Sequence, residues 1–108
     1  MKRGEVWWVE FSESVSGEIQ KRRPCVIVSN DSSNKYLNRV QIVPLTSNIK
    51  KLHSGEAYIL IAGKQGKALA TQISTASKAR LINKMGFLTP FDMEKVDRAI
   101  KKQLGLKD

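Results

Sequence analysis

Two short stretches of this 108-residue chain carry side chains suited to handling a phosphodiester. They are the basic run Lys21-Arg22-Arg23-Pro24 and the hydroxyl pair Thr46-Ser47. A guanidinium presents a planar fork of N–H donors that matches phosphate oxygens, and it stays charged at physiological pH. A threonine hydroxyl can donate to the same oxygens. Together they suit a reaction in which negative charge grows on a phosphate. Such charge develops when an RNA 2′-hydroxyl attacks its own phosphorus. That step needs the hydroxyl aligned, the phosphate charge offset and two protons managed, and it can proceed without a metal. Spacing alone does not single this constellation out. Arg23 also reads as a solvated loop cation, and Thr46 as a strand-end capping hydroxyl.

Residue type argues against several other chemistries. Metal sites need clustered His, Cys, Asp or Glu. The chain has one His, one Cys and no close carboxylate pair on a single element; Glu5 and Glu10 bracket one run but lie too far apart to pinch an ion. A two-metal nuclease is therefore disfavoured. The lone His53 excludes a His–His acid/base pair within one protomer. No phosphate-binding Walker loop or dinucleotide fingerprint is present. No cofactor is expected.

Lys plus Arg outnumber Asp plus Glu by 19 to 10, a net charge of +9 that favours a polyanionic partner. The longest apolar runs, Cys25–Val28 and Ala57–Ala62, are strand-sized, too short for a membrane span. The N-terminus carries Lys2 and Arg3 without the apolar run of a signal peptide. A soluble cytoplasmic protein is expected, and the single cysteine agrees with a reducing compartment. By length the chain reads as one domain over residues 1–108.

The elements that must position these groups are mostly short strands. Glu5–Phe11 is aromatic and β-branched and predicts the first. A long polar stretch, Ser12–Arg23, follows as a loop, and long loops are often functional. Pro24 opens a second strand through Ser29. Asn30–Asn34 is a turn cluster. Arg39–Leu45 alternates as a third strand, with Pro44 suggesting an edge or a bulge. Glu56–Ile61 and Lys67–Ile73 predict two more, Ser77–Leu81 a single helical turn, and Met85–Leu88 a last short strand. The C-terminus changes period: Met93, Val96, Ile100 and Leu104 recur at helical spacing. Thr89-Pro90 supplies an N-cap and a first-turn proline, and Gly105 a stop. Many strands and one amphipathic helix predict a mainly β, small barrel closed by the helix.

With those residues in view, the chain resembles the MazF/PemK toxin family. The resemblance rests on Arg3–Phe11, Gly17-Glu18, Arg23–Asn30 and Ile42-Val-Pro-Leu-Thr46, then Lys67-Ala-Leu-Ala-Thr-Gln-Ile73 and the closing helix. It covers nearly all of residues 2–106. It implies an SH3-like barrel of the MazF/CcdB type that works as a homodimer. It also implies a sequence-specific endoribonuclease acting on single-stranded RNA, leaving 2′,3′-cyclic phosphate and 5′-hydroxyl ends, and an acidic cognate antitoxin. By the same resemblance Arg23 and Thr46 are catalytic, Glu18 matches a loop residue near the RNA, and Gln72 matches a substrate-contacting glutamine. Lys21 and Ser47 join them as further substrate-binding candidates.

The sequence departs from the family pattern in two places. Thr71 stands where many members have Asp, and the loop reads Ser16-Gly-Glu18 rather than Gly-Ser-Glu. Alternation from Pro24 favours Arg23 over Arg22 as the inward side chain. Lys64, Lys67 and Lys78 are candidates for additional phosphate contacts. Trp7 and Trp8 should face opposite sides of a regular strand, one of them in the core. Cys25 should be buried and inert. Two rival readings stay open: a toxin of the same fold that poisons a protein target such as gyrase, and an RNA-binding barrel without cleavage.

Overall fold

The computed structural model describes residues 1–11 and 22–107. Its strands are β1 (Glu5–Glu10), β2 (Arg22–Ile27), β3 (Arg39–Thr46), β4 (Glu56–Ile61), β5 (Lys64–Leu69), β6 (Ser74–Ser77) and β7 (Leu81–Phe87). Two α-helices, α1 (Asp31–Tyr36) and α2 (Pro90–Leu104), and two 3-10 turns, Ala70–Gln72 and Lys78–Arg80, complete it. The strands form one antiparallel sheet in the order β4-β5-β3-β2-β1-β7, with β6 added on β3. The path β7-β1-β2-β3-β6, its ends joined by the Lys78–Arg80 turn, is the SH3-like curl; the β4–β5 hairpin extends it.

The curl explains why β2 and β3 read as nearly continuous apolar runs, since both faces of each are buried. On one face Val26, Val28, Val43 and Leu45 join Val6, Ile59 and Ala68 against Met93 and Val96 of α2. On the other, Cys25, Ile27, Val40 and Ile42 pack with Val9, Ala76 and Leu81 inside the curl. Trp7 belongs to this inner cluster. Trp8 pairs across from Pro24, one step along β1, and so faces the opposite side.

Strand β3 serves two neighbours along one edge: β6 pairs with Arg39–Ile42, and β5 with Leu45–Thr46. Pro44 lies between those two pairings and is fully buried. Its missing N–H therefore falls at a break in the pairing rather than at the sheet edge or bulge the sequence suggested. The expected strand over 67–73 ends at Leu69 for the same reason. The chain must pass from the β5 position to the β6 position, and the Ala70–Gln72 turn makes that step. Strand β6 was not expected. Strand β7 begins four residues earlier than its short apolar run implied, because as an edge strand it leaves Ile82 to Met85 exposed and shows no alternation.

Helix α2 forms where local signals put it. Thr89 Oγ1 accepts the Asp92 N–H at 3.1 Å, and Pro90 occupies the first turn. Gly105, at φ +70°, ends it in the left-handed conformation that glycine adopts without strain. Asp92 also reaches across to accept the Leu60 N–H of edge strand β4 at 2.9 Å. The Asn30–Asn34 cluster winds into α1 instead of a simple turn. Asn30 caps it by accepting the Ser33 N–H at 2.8 Å, and buried Asn34 donates to the Ser29 carbonyl at 2.8 Å. Among the described residues no helix is long and apolar enough to cross a membrane.

Candidate active site

Strand pairing brings the basic run and the hydroxyl pair together. Val9 of β1 pairs with Arg23, and Cys25, Val26 and Ile27 of β2 pair with Pro44, Val43 and Ile42 of β3. That pairing ends at Cys25 and Pro44, and the same offset carried two residues further would set Arg23 abreast of Thr46. Alternation puts both on the face of Cys25 and Pro44, at the open rim of the inner cluster. Both residues are half-buried. Arg22, one step away on the other face, is exposed and meets Glu10 at 3.4 Å. Both partners of that pair are more than half exposed (64% and 53%), so it holds little energy.

Burial pushes the Cys25 thiol up to about 12, although the nearby Arg23 charge pulls the other way. Thr46 Oγ1 accepts the Asn48 N–H at 3.2 Å, which leaves the hydroxyl proton free to donate elsewhere. Ser47 is exposed beside it. A Cβ on Gly66 would stand 2.8 Å from the Thr46 carbonyl oxygen, so β5 can approach the strand end this closely only as glycine.

Gln72 is exposed on the 3-10 turn that packs beside β3, near the Pro44 break. The structure thus gathers Arg23, Thr46 and Ser47 at one end of β2 and β3, with Gln72 on the turn next to that strand. Glu18 and Lys21 lie outside the described residues.

Two features were not legible in the sequence. Arg80 closes the Lys78–Arg80 turn, and its Nη1 donates to the Glu10 carbonyl at 3.2 Å. Val9 pairs with Arg23 on one side and Leu81 on the other, so Arg80 stands at the Glu10 end of β1, level with Arg22 rather than Arg23. Nothing in sequence spacing relates residues 23 and 80. Lys67, a candidate for a phosphate contact, is instead buried. Its ammonium donates to the Lys51 carbonyl at 2.6 Å and to Glu56 at 2.8 Å. Burial pushes the Glu56 carboxyl up, but hydrogen bonds from Lys67 and the His53 N–H, with the charges of both residues, outweigh it and hold the pKa below the ordinary 4.5. Lys64 is exposed, Lys78 half-buried and His53 exposed.

A separate open groove of about 930 Å³ runs between residues 52–58 and α2, rimmed by Lys95, Arg98 and Lys102; it shares no residue with the Arg23–Thr46 rim. Among the described residues no three His, Cys, Asp or Glu side chains gather where they would hold a metal ion.

Known proteins share this arrangement of strands and helix. The family model of the PemK-like, MazF-like toxins of type II toxin–antitoxin systems matches residues 2–104. Endoribonuclease MazF9 of Mycobacterium tuberculosis is 34% identical, with 98% of each chain covered. Endoribonuclease MazF of Staphylococcus epidermidis is 33% identical over 100% of this chain and 94% of its own. A solved mycobacterial endoribonuclease in complex with its cognate antitoxin superposes with a TM-score of 0.84 at 26% identity, covering 100% of this chain and 98% of that one. MazF of Deinococcus radiodurans shares the fold, with a TM-score of 0.82 at 21% identity over 98% of this chain and 97% of that one. A match over nearly the whole length places this chain among the PemK-like, MazF-like toxins of type II toxin–antitoxin systems.

Proposed function

We propose that this toxin is an endoribonuclease that cuts single-stranded RNA at particular sequences, with Arg23 and Thr46 at the reacting phosphate. The observation that carries this reading is the β2–β3 offset. It brings the half-buried residues Arg23 and Thr46 to the same end of β2 and β3, which supports a shared role at the rim of the curl. In the reaction the RNA 2′-oxygen bonds to the adjacent phosphorus and the bond to the 5′-oxygen breaks. The products are a 2′,3′-cyclic phosphate and a 5′-hydroxyl; one proton leaves the 2′-oxygen and one arrives at the departing oxygen. Arg23 offsets the charge that grows on the non-bridging oxygens, a role that its planar fork of N–H donors suits. Thr46 donates its free hydroxyl proton to the same phosphate. Ser47, Gln72, Lys21 and Glu18 are assigned to substrate binding, and Arg80 adds positive charge at the Glu10 end of β1.

We further propose that two copies pair to lengthen the RNA groove, because one small curl offers little concave surface for several nucleotides. The protein acts in the cytoplasm and is neutralised by an acidic antitoxin. The mycobacterial neighbour solved with its cognate antitoxin, and the +9 charge, support that assignment.

Cleavage of one RNA presented single-stranded and then annealed to its complement tests the proposal. Discrete cuts in the single strand only, lost in Arg23→Ala, are expected. No cuts across a broad set of single strands would refute it and favour a toxin that binds a protein target.

A further inference from the structure

We propose that Lys67 is a positioning residue for Thr46, acting through the loop of residues 47–55 that follows it; this rests on the endoribonuclease reading above. Lys67 pairs directly with Thr46 across β3 and β5, and with Tyr58 across β4 and β5. Alternation therefore sets its side chain on the Thr46 face of the sheet. A cation there is well placed to meet a phosphate, yet the Lys67 side chain is only 7% exposed and Glu56 neutralises it.

What the ammonium holds is the loop. It donates to the Lys51 carbonyl at 2.6 Å, while its partner Glu56 accepts the His53 N–H at 2.9 Å. Tyr58, the other neighbour of Lys67, donates its hydroxyl to the Ile49 carbonyl at 3.2 Å. At the near end the Asn48 N–H occupies Thr46 Oγ1. The loop is thus tied at Asn48, Ile49, Lys51 and His53, and two of those ties run through the Lys67–Glu56 pair.

A buried ion pair adds little to stability over apolar residues of similar size. Its use here is geometric. The pair's other hydrogen bonds go to loop backbone, and the loop's Asn48 N–H takes a lone pair of the Thr46 hydroxyl. That bond limits where the hydroxyl proton can point. With the loop fixed, the proton is directed away from Asn48 and toward the rim that Arg23 shares.

The test compares wild type with Lys67→Met, Glu56→Gln and the double variant Lys67→Met/Glu56→Leu. It measures single-turnover cleavage, KM for a single-stranded RNA, thermal melting, and amide hydrogen exchange across residues 48–53. The double variant removes both buried charges and so guards against simple unfolding. Tyr58→Phe, a milder change at a half-buried side chain, loosens the same loop at Ile49.

Lys67→Met, Glu56→Gln and the double variant should each lower the cleavage rate roughly ten- to a hundredfold with KM little changed, since misplacement of about 1 Å can cost that much. The double variant should lose no more than either single one, because all three cut the same tie. Loop exchange should speed up in each, and Tyr58→Phe should show a smaller effect in the same direction. Wild-type rates in variants assayed well below their melting temperatures would overturn the proposal, as would slowed cleavage without faster loop exchange. A lower KM in Glu56→Gln would also overturn it, by showing Lys67 to be a phosphate ligand held in reserve. If the wild type cuts no RNA, the endoribonuclease reading fails, and faster loop exchange alone would leave Lys67 a purely structural tie.

Discussion

Arg23 and Thr46 have different jobs at one phosphate, and their substitution should separate those jobs. Arg23→Ala removes the guanidinium that strand alternation points toward Thr46, and should slow single-turnover cleavage by about a thousandfold, in line with loss of a charge-stabilising donor. Arg23→Lys keeps the charge but loses the fork, and should still cost at least about tenfold. Thr46→Ala should cost less, roughly ten- to a hundredfold, since only one hydrogen-bond donor is lost. A lysine variant with near-wild-type rates would rule out bidentate phosphate recognition. Cys25 supplies an independent check on the packing around Arg23. Its thiol is fully buried and pushed up to about 12, so it should resist alkylation at pH 8 until the protein is unfolded. Rapid labelling of the native protein would contradict the register that puts Cys25 inside the curl.

At the scale of elements, the site depends on how closely β5 approaches the end of β3. Gly66→Ala would place a Cβ 2.8 Å from the Thr46 carbonyl oxygen, a backbone atom with little room to yield. It should destabilise the fold by about 1–3 kcal/mol, as overpacking does, and slow cleavage at temperatures where the variant is folded. Urea unfolding and single-turnover rates check the two parts separately; a variant with wild-type stability would show that β3 and β5 are not in such close contact.

Which elements were legible in the sequence follows from the range of the forces that make them. Helix α2 rests on local signals, with Thr89, Pro90 and Gly105 all within its own span, and its bounds match. Strand β3 and the Cys25–Ile27 half of β2 were legible because two buried faces leave a run of apolar residues; Arg22 and Arg23, read as the end of a loop, join β2 by pairing with Glu10 and Val9 of β1. Strand β6 was not, since Ser74–Ser77 buries only Ala76 and owes its conformation to the distant edge of β3. The site was legible only in part. The Arg23-Pro24 and Pro44-x-Thr46 pieces stand out through their likeness to a family, and the β2–β3 pairing supplies the physical reason for their separation. Arg80 and the Lys67 tie depend on non-local pairing, and residue type alone assigned Lys67 to the wrong partner.

For the molecule as a whole, charge decides how it meets its substrate and how it responds to acid. A net charge of +9 should make RNA affinity fall steeply with salt, because bound counterions are released on association. Filter binding with the inactive Arg23→Ala variant from low to moderate salt measures that slope, and an affinity independent of salt would contradict the basic rim. Glu56 and Glu5 are both nearly buried, and their carboxyls lie below the ordinary 4.5. In each case burial opposes the shift and hydrogen bonds outweigh it, from Lys67 and the His53 backbone for Glu56, and from Trp7, the Lys2 backbone and Lys84 for Glu5. A depressed folded-state pKa contributes stability above the unfolded value and loses it as pH falls through the folded one. The melting temperature should therefore hold steady from neutral pH down to about pH 5 and drop below that. Glu56→Gln should blunt the drop; an equally steep fall in that variant would remove Glu56 from the explanation.

Cleavage of a long single-stranded RNA in excess EDTA, with the new ends identified chemically and Arg23→Ala run beside the wild type, bears on the whole scheme at once. Discrete cuts by the wild type alone, each leaving a 2′,3′-cyclic phosphate and a 5′-hydroxyl, are predicted. Loss of cutting in EDTA, 5′-phosphate ends, or equal cutting by Arg23→Ala would contradict a reaction driven by the RNA's own 2′-hydroxyl at the Arg23–Thr46 rim.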